Sequence, residues 1–387
     1  MKIVIVGPIS LPLHSKVIEF IDKDEKLFFS NYHNHPWIYN LANGLKNIED
    51  TEVHILSITN LVSKDYHFQL DNIYYHLIHS ENKYLNVISF FYKEIQKIIK
   101  QIKIIKPDII HAQSRGYFTL AAMLSKFPVV VTNHGQLQEH YKALGKKDFR
   151  YFISIFYEKW VNKKMQYCIG VSPNCINDCI KYLPKNNIFL IENAINPVFF
   201  KERLLEDQNT ILFVGSITPL KQVIELILAI SKVENCKLKL VYQGYLPSYF
   251  EEIKQLIINL NIENKVIFLG QKNQLELAEE ISKCTALCLP SKYESFGMVL
   301  AEAMAVGKPV IASDIEGPGF IVKHKHNGLL FQTGNVDELS GCISKLINDK
   351  LFATELAQNA KKDAIERFSS ESVAKKTFQV YKQILNF

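Results

Sequence analysis

The sequence predicts an α/β protein of two doubly wound domains, each a mainly parallel sheet with helices on both faces. Three observations carry this. At 387 residues the chain is long enough for two domains of roughly 100 to 200 residues each. Short β-branched runs alternate with longer helical patterns from end to end. Several of those runs are apolar without polar alternation, as strands covered on both faces require. Hydrophobic residues at 48% and charged residues at 22% fit a globular protein and exclude a disordered tail.

In chain order, the first half offers strands at Lys2 to Val6, Val53 to Ile58, Ile73 to Ile78, Asp108 to His111, Pro128 to Thr132, Tyr167 to Val171 and Ile188 to Ile191. The opening run reads as a buried strand, because no basic stretch and apolar leader precede it. Val87 to Lys106 has Ile95, Ile98, Ile99 and Ile102 at helical spacing, with Lys93, Lys97 and Lys100 on the other side. From Lys142 to Lys164, lysines and Arg150 surround Tyr151, Phe152, Phe156, Tyr157 and Trp160. Both stretches suit either a core-packed helix with a solvated face or a helix resting on anionic lipid.

Asn193 to Asn209 has no clear period and is the expected interdomain connection. The second half then offers strands at Thr210 to Val214, Lys237 to Tyr242, Lys265 to Leu269, Thr285 to Leu289, Pro309 to Ala312 and Gly328 to Phe331. Helices are expected over Pro219 to Val233, Gln274 to Lys283, Met298 to Val306, Val336 to Asn348, Leu351 to Arg367 and Ser370 to Leu385. The expected division is 1–195 as the first domain, 196–209 as linker, 210–368 as the second domain, and 369–387 as a helix long enough to cross back to the first.

Charge is uneven. Residues 1–200 hold 23 Lys and Arg against 17 Asp and Glu, whereas 201–387 hold 22 against 22, so the net +6 lies in the first half. That half is expected to face something anionic, either phospholipid headgroups or a phosphate-bearing substrate. The charge is too modest and dispersed for nucleic-acid binding. The apolar stretches fall far short of the roughly 18 residues that span a bilayer. Seven cysteines without paired CxxC spacing read as buried free thiols of a cytoplasmic protein.

The segment from Pro290 to Val310, PSKYESFGMVLAEAMAVGKPV, reads strand end, loop, helix, turn, strand. Gly297 permits close backbone approach, and Gly307 with Pro309 ends the helix. A helix start with free amides and a partial positive charge suits a phosphate. Glu294 lies just before it, and Glu302 sits about five residues inside it, roughly 7 to 8 Å along the axis at 1.5 Å per residue. Carboxylates so placed can hold sugar hydroxyls at both ends.

With Glu294, seven residues and Glu302, the segment resembles the signature of the retaining glycosyltransferases of family 4. The resemblance implies the GT-B fold, two Rossmann-like domains facing across a cleft. It implies that Glu302 binds ribose hydroxyls, that Glu294 contacts the donor sugar, and that backbone at Phe296, Gly297, Met298 and Val299 meets the diphosphate and sugar. In Val214-Gly215-Ser216-Ile217-Thr218-Pro219-Leu220-Lys221, relatives carry Arg after the Gly and Lys five positions later, both on the diphosphate. Lys221 fits and Ser216 departs, which leaves Arg115, Lys292 or another cation to substitute. The resemblance also makes His134, after the strand Val129 to Thr132, a catalytic-site residue, and His111 a strand-end histidine of architectural use. His33-Asn34-His35-Pro36 has metal-ligand atom types without further ligands nearby and reads as an acceptor-side loop.

The function expected from this likeness is a retaining, metal-independent transfer of a hexosyl group from a nucleotide diphosphate sugar to a glycan or lipid-linked acceptor. Bacterial surface polysaccharide or lipid-linked glycan synthesis is the expected setting. Glu294, His134 and Lys221 are the expected catalytic set. Glu302, Phe296, Gly297, Met298, Val299, Gly215 and Ser216 are the expected donor contacts, with no metal and no cofactor. The expected location is the cytoplasm, peripheral to the inner face of the cell membrane. A sugar-nucleotide epimerase and a non-catalytic donor-binding adaptor remain as alternatives. A dehydrogenase is disfavoured because Val6-Gly7-Pro8-Ile9-Ser10 lacks G-x-G-x-x-G.

Overall fold

The β-branched runs pair as two mainly parallel sheets in a computed structural model that describes residues 1–8, 35–81, 83–135, 149–202 and 209–386. The chain divides into two units, one formed by Met1–Ala194 with the segment from Ser370 onward, the other by Ile195–Ser369.

The first unit contains β1 (Lys2–Val6), α1 (Pro36–Leu45), β2 (Glu52–Thr59), β3 (Tyr66–Leu70), β4 (Ile73–His79), α2 (Lys83–Ile88) and α3 (Tyr92–Ile105). It continues with β5 (Ile109–Ala112), α4 (Tyr117–Leu124), β6 (Val129–Asn133), α5 (Phe149–Lys164), β7 (Cys168–Gly170), α6 (Pro173–Ile180) and β8 (Ile188–Leu190). The sheet order is β3-β4-β2-β1-β5-β6-β7-β8, parallel except for the β3–β4 pair. The expectations omitted β3. Its signal was Asp71-Asn72, both at positive φ (48° and 60°), as a two-residue hairpin turn requires. The alternation Tyr66, Phe68, Leu70 on an edge strand is too short to stand out.

Helix α3 is shorter than its apolar period, because Phe90 and Phe91 take left-handed conformations and end α2 against it. Its Ile95, Ile98, Ile99 and Ile102 are buried in the core beside β1 and β2, so this helix does not offer them to lipid.

The second unit contains β9 (Thr210–Val214), α7 (Val223–Ser231), β10 (Lys237–Val241), α8 (Pro247–Asn259), β11 (Val266–Gly270), α9 (Gln274–Lys283) and β12 (Ala286–Leu289). It continues with α10 (Met298–Val306), β13 (Val310–Ser313), α11 (Glu316–Ile321), β14 (Gly328–Phe331), α12 (Val336–Asn348) and α13 (Lys350–Phe368). Its sheet runs β11-β10-β9-β12-β13-β14, all parallel. The order reverses between β9 and β12, so the loops after these strands flank a switch point, where α/β sheets bind ligands. The helix expected over Pro219 to Val233 is broken. A single 3-10 turn at Pro219–Lys221 ends at Gln222 with φ 49°, and α7 starts after it. This break places Lys221 on a loop. The last helix of the chain, α14 (Ser370–Leu385), belongs to the first unit and packs Val373, Ala374 and Tyr381 into the core that holds Leu41 and Ala42 of α1.

One further observation concerns the connection. Ile195 and Phe199 are fully buried within the second unit, so that part of the expected connection is packed, while 203–208 lie outside the described residues. All seven cysteines are free thiols, six of them buried. Among the described residues no helix is long and apolar enough to cross a membrane.

Candidate active site

In the second unit the two loops at the switch point are tied together. The Lys292 amide donates to the Leu220 carbonyl at 2.8 Å, joining the turn after β9 to the turn after β12. The side chains meet as well: the Lys221 ammonium contacts both Glu294 oxygens, at 3.1 and 2.9 Å, with both side chains mostly buried. An ion pair of this kind orients both groups, with Glu294 four residues ahead of Met298, where α10 begins.

Gly297 caps α10 with φ 96°, a conformation that strains any side-chain-bearing residue. The Leu300 amide bonds the Gly297 carbonyl at 2.9 Å, while the Met298 and Val299 amides find no acceptor among the described residues. The helix start therefore presents two donors and its partial positive charge just past Glu294, the partner of Lys221. Phe296 is buried edge-on against Phe368, with ring centroids 5.8 Å apart. Gly317 of α11 lies so close to this turn that a Cβ there would sit 2.2 Å from the Glu294 carbonyl oxygen. The loop is thus held from beneath by α13 and from the side by α11.

Glu302 lies one turn inside α10, 6% exposed, with no hydrogen-bond partner among the described residues. Burial pushes its carboxyl up from 4.5 to about 7. A lone buried carboxyl is costly unless something pairs with it, and hydroxyl donors are the natural complement. Gly215 and Ser216 follow β9, partly exposed, and the Gly215 amide is used by the Val241 carbonyl at 3.1 Å. The hydroxyls of Ser291 and Ser313, just past β12 and at the end of β13, are buried without a partner among the described residues.

In the first unit His134 follows β6 at the carboxyl edge of that sheet. Asn133 shapes its turn: the side-chain oxygen accepts the Gly135 amide at 3.0 Å and the side-chain nitrogen donates to the Cys175 carbonyl at 2.9 Å. Burial, then the neighbouring His111 and His35 rings and the Arg115 guanidinium, depress the His134 imidazole to about 3. The ring is therefore neutral. With its Nε2 proton donated to Gln113 Oε1 at 2.9 Å, the buried Nδ1 is an unfilled acceptor. The indole of Trp37 lies 4.9 Å away between ring centroids, and its buried Nε1–H also lacks an acceptor among the described residues. A donor and an acceptor left open beside an aromatic face suit a polyhydroxylated ligand.

Comparisons with known proteins identify the family. A family profile described as "Glycosyl transferases group 1" matches residues 195–363, and one described as "Glycosyltransferase Family 4" matches residues 37–199. An uncharacterized glycosyltransferase of Methanocaldococcus jannaschii is 30% identical over 355 residues, covering 89% of this chain and 93% of that protein. The chain belongs to the family 4 glycosyltransferases. Several other curated relatives are matched over only 41% to 59% of their own length. Among solved structures, the glycosyltransferase superposes on a sucrose-phosphate synthase from Thermosynechococcus elongatus with a TM-score of 0.78 at 19% identity, over 100% of this chain and 99% of that one. It superposes on the HepE protein of Anabaena in complex with UDP-glucose with a TM-score of 0.72 at 19% identity, over the whole of both chains. The fold is GT-B.

Of the residues expected in this glycosyltransferase's donor site, Glu294, Phe296, Gly297, Met298, Val299, Glu302, Gly215, Ser216 and Lys221 all lie within the second unit on loops and a helix at one edge of its sheet. His134 lies in the first unit. Arg115 is excluded as the substitute cation for Ser216. Its guanidinium is consumed within the first unit by Glu158 and Asp178, each at 2.5 Å, by Asn162 at 3.2 Å and by the Gly135 carbonyl at 2.8 Å. It clamps the His134 turn instead. Lys292 is exposed, two residues from Glu294, with no ion-pair partner among the described residues. His111 is buried between Tyr381 Oη at 2.6 Å and Thr132 Oγ1 at 2.5 Å. His33 and Asn34, Gln136, and Lys142 to Asp148 lie outside the described residues. Trp37, Gln113, Ser291, Ser313 and Gly317 escaped sequence reasoning. Only the proximity of Trp37 to His35-Pro36 offered a hint.

Proposed function

We propose that the chain moves a hexosyl group from a nucleoside diphosphate sugar to an acceptor hydroxyl, with retention at the anomeric carbon and without a metal. The observation that carries this reading is the juxtaposition of Lys221, paired to Glu294, with the two open amides of α10 and the unpartnered Glu302 carboxyl. The bond that breaks joins the anomeric carbon to the diphosphate oxygen, and negative charge grows on that oxygen. Lys221 and the Met298 and Val299 amides meet this charge before the reaction begins, so no reorganisation is needed at the moment of cleavage. Glu302 accepts from the ribose hydroxyls, and Glu294 from the sugar. The acceptor hydroxyl forms the new bond on the face the diphosphate leaves, and its proton passes to the departing diphosphate oxygen. His134, held neutral, accepts a hydroxyl through Nδ1 and does not act as an acid. The UDP-glucose bound to the similarly folded Anabaena protein supports a uridine donor.

An anionic membrane surface is proposed as the place of work, with a lipid-linked glycan as acceptor. Ile88, Phe90 and Tyr92 at the α2–α3 corner, with Phe152 and Phe156 of α5, are between 48% and 70% exposed. Phe90 touches Phe156 edge-on, centroids 6.5 Å apart, and Lys159 on α5 is exposed. Apolar and aromatic groups with a cation at their rim suit the headgroup boundary.

The test is to incubate the chain with a panel of nucleotide sugars and acceptors, with and without EDTA, and to assign the anomeric configuration of the product by NMR. An inverted product or abolition by EDTA refutes the mechanism. Ser216 supports a second reading, a donor-binding adaptor without turnover. It predicts nucleotide binding with no acceptor-dependent release of diphosphate. An epimerase would instead change the donor with no acceptor present.

A further inference from the structure

A cavity of about 590 Å³ lies within the second unit at the opposite ends of the strands from the donor loops. It opens where Asn209, Thr285 and Pro309 lead into β9, β12 and β13, below the last turns of α9, α10 and α12 and beside the first turns of α13. Four lysines line it, Lys283, Lys308, Lys350 and Lys361, and no carboxylate does among the described residues. Leu346, Ile347 and Ala353 give it an apolar wall.

The four ammonium groups are not equivalent. Lys283 is held by Glu280 at 2.8 Å, which it shares with Lys239, and Lys361 reaches the Phe200 carbonyl at 3.4 Å. The Lys308 and Lys350 ammonium groups have no hydrogen-bond or ion-pair partner among the described residues; Lys308 is half-buried and Lys350 is exposed. A half-buried cation without a counter-ion, in a cavity whose other charges share its sign, is an arrangement that an anion relieves. The volume falls in the range of small-molecule sites, and at about 30 Å³ per water it exceeds what a bare phosphate fills. The apolar wall requires a body as well as a charge.

We propose that this cavity binds a phosphate-bearing small molecule with an apolar or aromatic body, through Lys308 and Lys350. The site is separate from the donor loops and does not depend on the reading given for them.

Pyridoxal 5′-phosphate is a suitable probe because it combines ring, phosphate and aldehyde. Its aldehyde condenses with a lysine amine, losing water to form an imine that borohydride reduces to a stable amine, so the occupied lysine can be mapped by peptide mass spectrometry. The full chain is labelled in the presence of excess UDP. The expected result is saturable labelling at Lys308 or Lys350, half-maximal below about 1 mM, with pyridoxal lacking the phosphate at least about tenfold weaker. A variant carrying both Lys308→Gln and Lys350→Gln should lose that labelling while retaining the wild-type circular dichroism. Labelling spread over exposed lysines, labelling indifferent to the phosphate, or total labelling undiminished in the double variant would each overturn the proposal. Modification of Lys221 would report on the donor loops alone, so the two sites are read separately.

Discussion

Replacing Glu302 by glutamine should change how stability depends on pH, and the size of the change follows from its burial. The folded state holds a proton on Glu302 up to about pH 7, whereas the unfolded chain releases it near 4.5. Below 4.5 both states are protonated and the group contributes no penalty. Between 4.5 and 7 the unfolded chain binds fewer protons, so stability falls as pH rises, and above 7 the loss is complete. At about 1.36 kcal/mol per pH unit, the displacement from 4.5 to about 7 amounts to about 3 kcal/mol. The amide of the Glu302→Gln variant does not titrate and keeps nearly the same shape. Urea unfolding of both proteins at pH 4 and pH 8, followed by circular dichroism, measures the difference. Glu302→Gln should gain about 3 kcal/mol relative to wild type on going from pH 4 to pH 8. Parallel stabilities at the two pH values would refute the claim that this carboxyl is buried without a partner.

The same reasoning yields further outcomes. Lys221→Ala should lower turnover by roughly 100- to 1,000-fold, the range seen when one preorganised charge-stabilising group is removed, with nucleotide-sugar kinetics as the check. Arg115→Ala should cost about 3 to 5 kcal/mol of stability, because Glu158 and Asp178 would remain buried without their cation, and thermal unfolding reads this directly. Gly317→Ala should displace the Glu294 loop, since its methyl group would fall 2.2 Å from a backbone oxygen. Weakened donor binding with a measurable loss of melting temperature is expected. His134→Gln should reduce turnover without moving the pH optimum, because the native ring is neutral across the working range. A shift of that optimum would show instead that the imidazole titrates during catalysis.

Strands buried on both faces were the most legible part of the sequence. Thr210–Val214 and Gly328–Phe331 form over the residues that their apolar character marks, and α9, α10, α12 and α14 over the ones that period and caps mark. Edge strand β3 was not legible, because one exposed face removes the continuous apolar signal and leaves only the Asp71-Asn72 turn. Gln222 was missed for a different reason. Its left-handed backbone is imposed by the return of the chain into α7, and glutamine carries no propensity that announces it. At the site, spacing placed Glu294 and Glu302 around a helix start, but it could not show that Lys221 is already paired with Glu294. Nor could it show that Arg115 is spent on two carboxylates 43 and 63 residues further along the chain. Those pairings are set by tertiary packing, to which local pattern is blind.

A crystal structure of the chain with UDP tests the account most directly. The diphosphate should lie within hydrogen-bond distance of the Met298 and Val299 amides and of the Lys221 ammonium, with the ribose hydroxyls donating to Glu302. Density for the nucleotide at any other place, with Glu302 still unpartnered and Lys221 still bound only to Glu294, would contradict it.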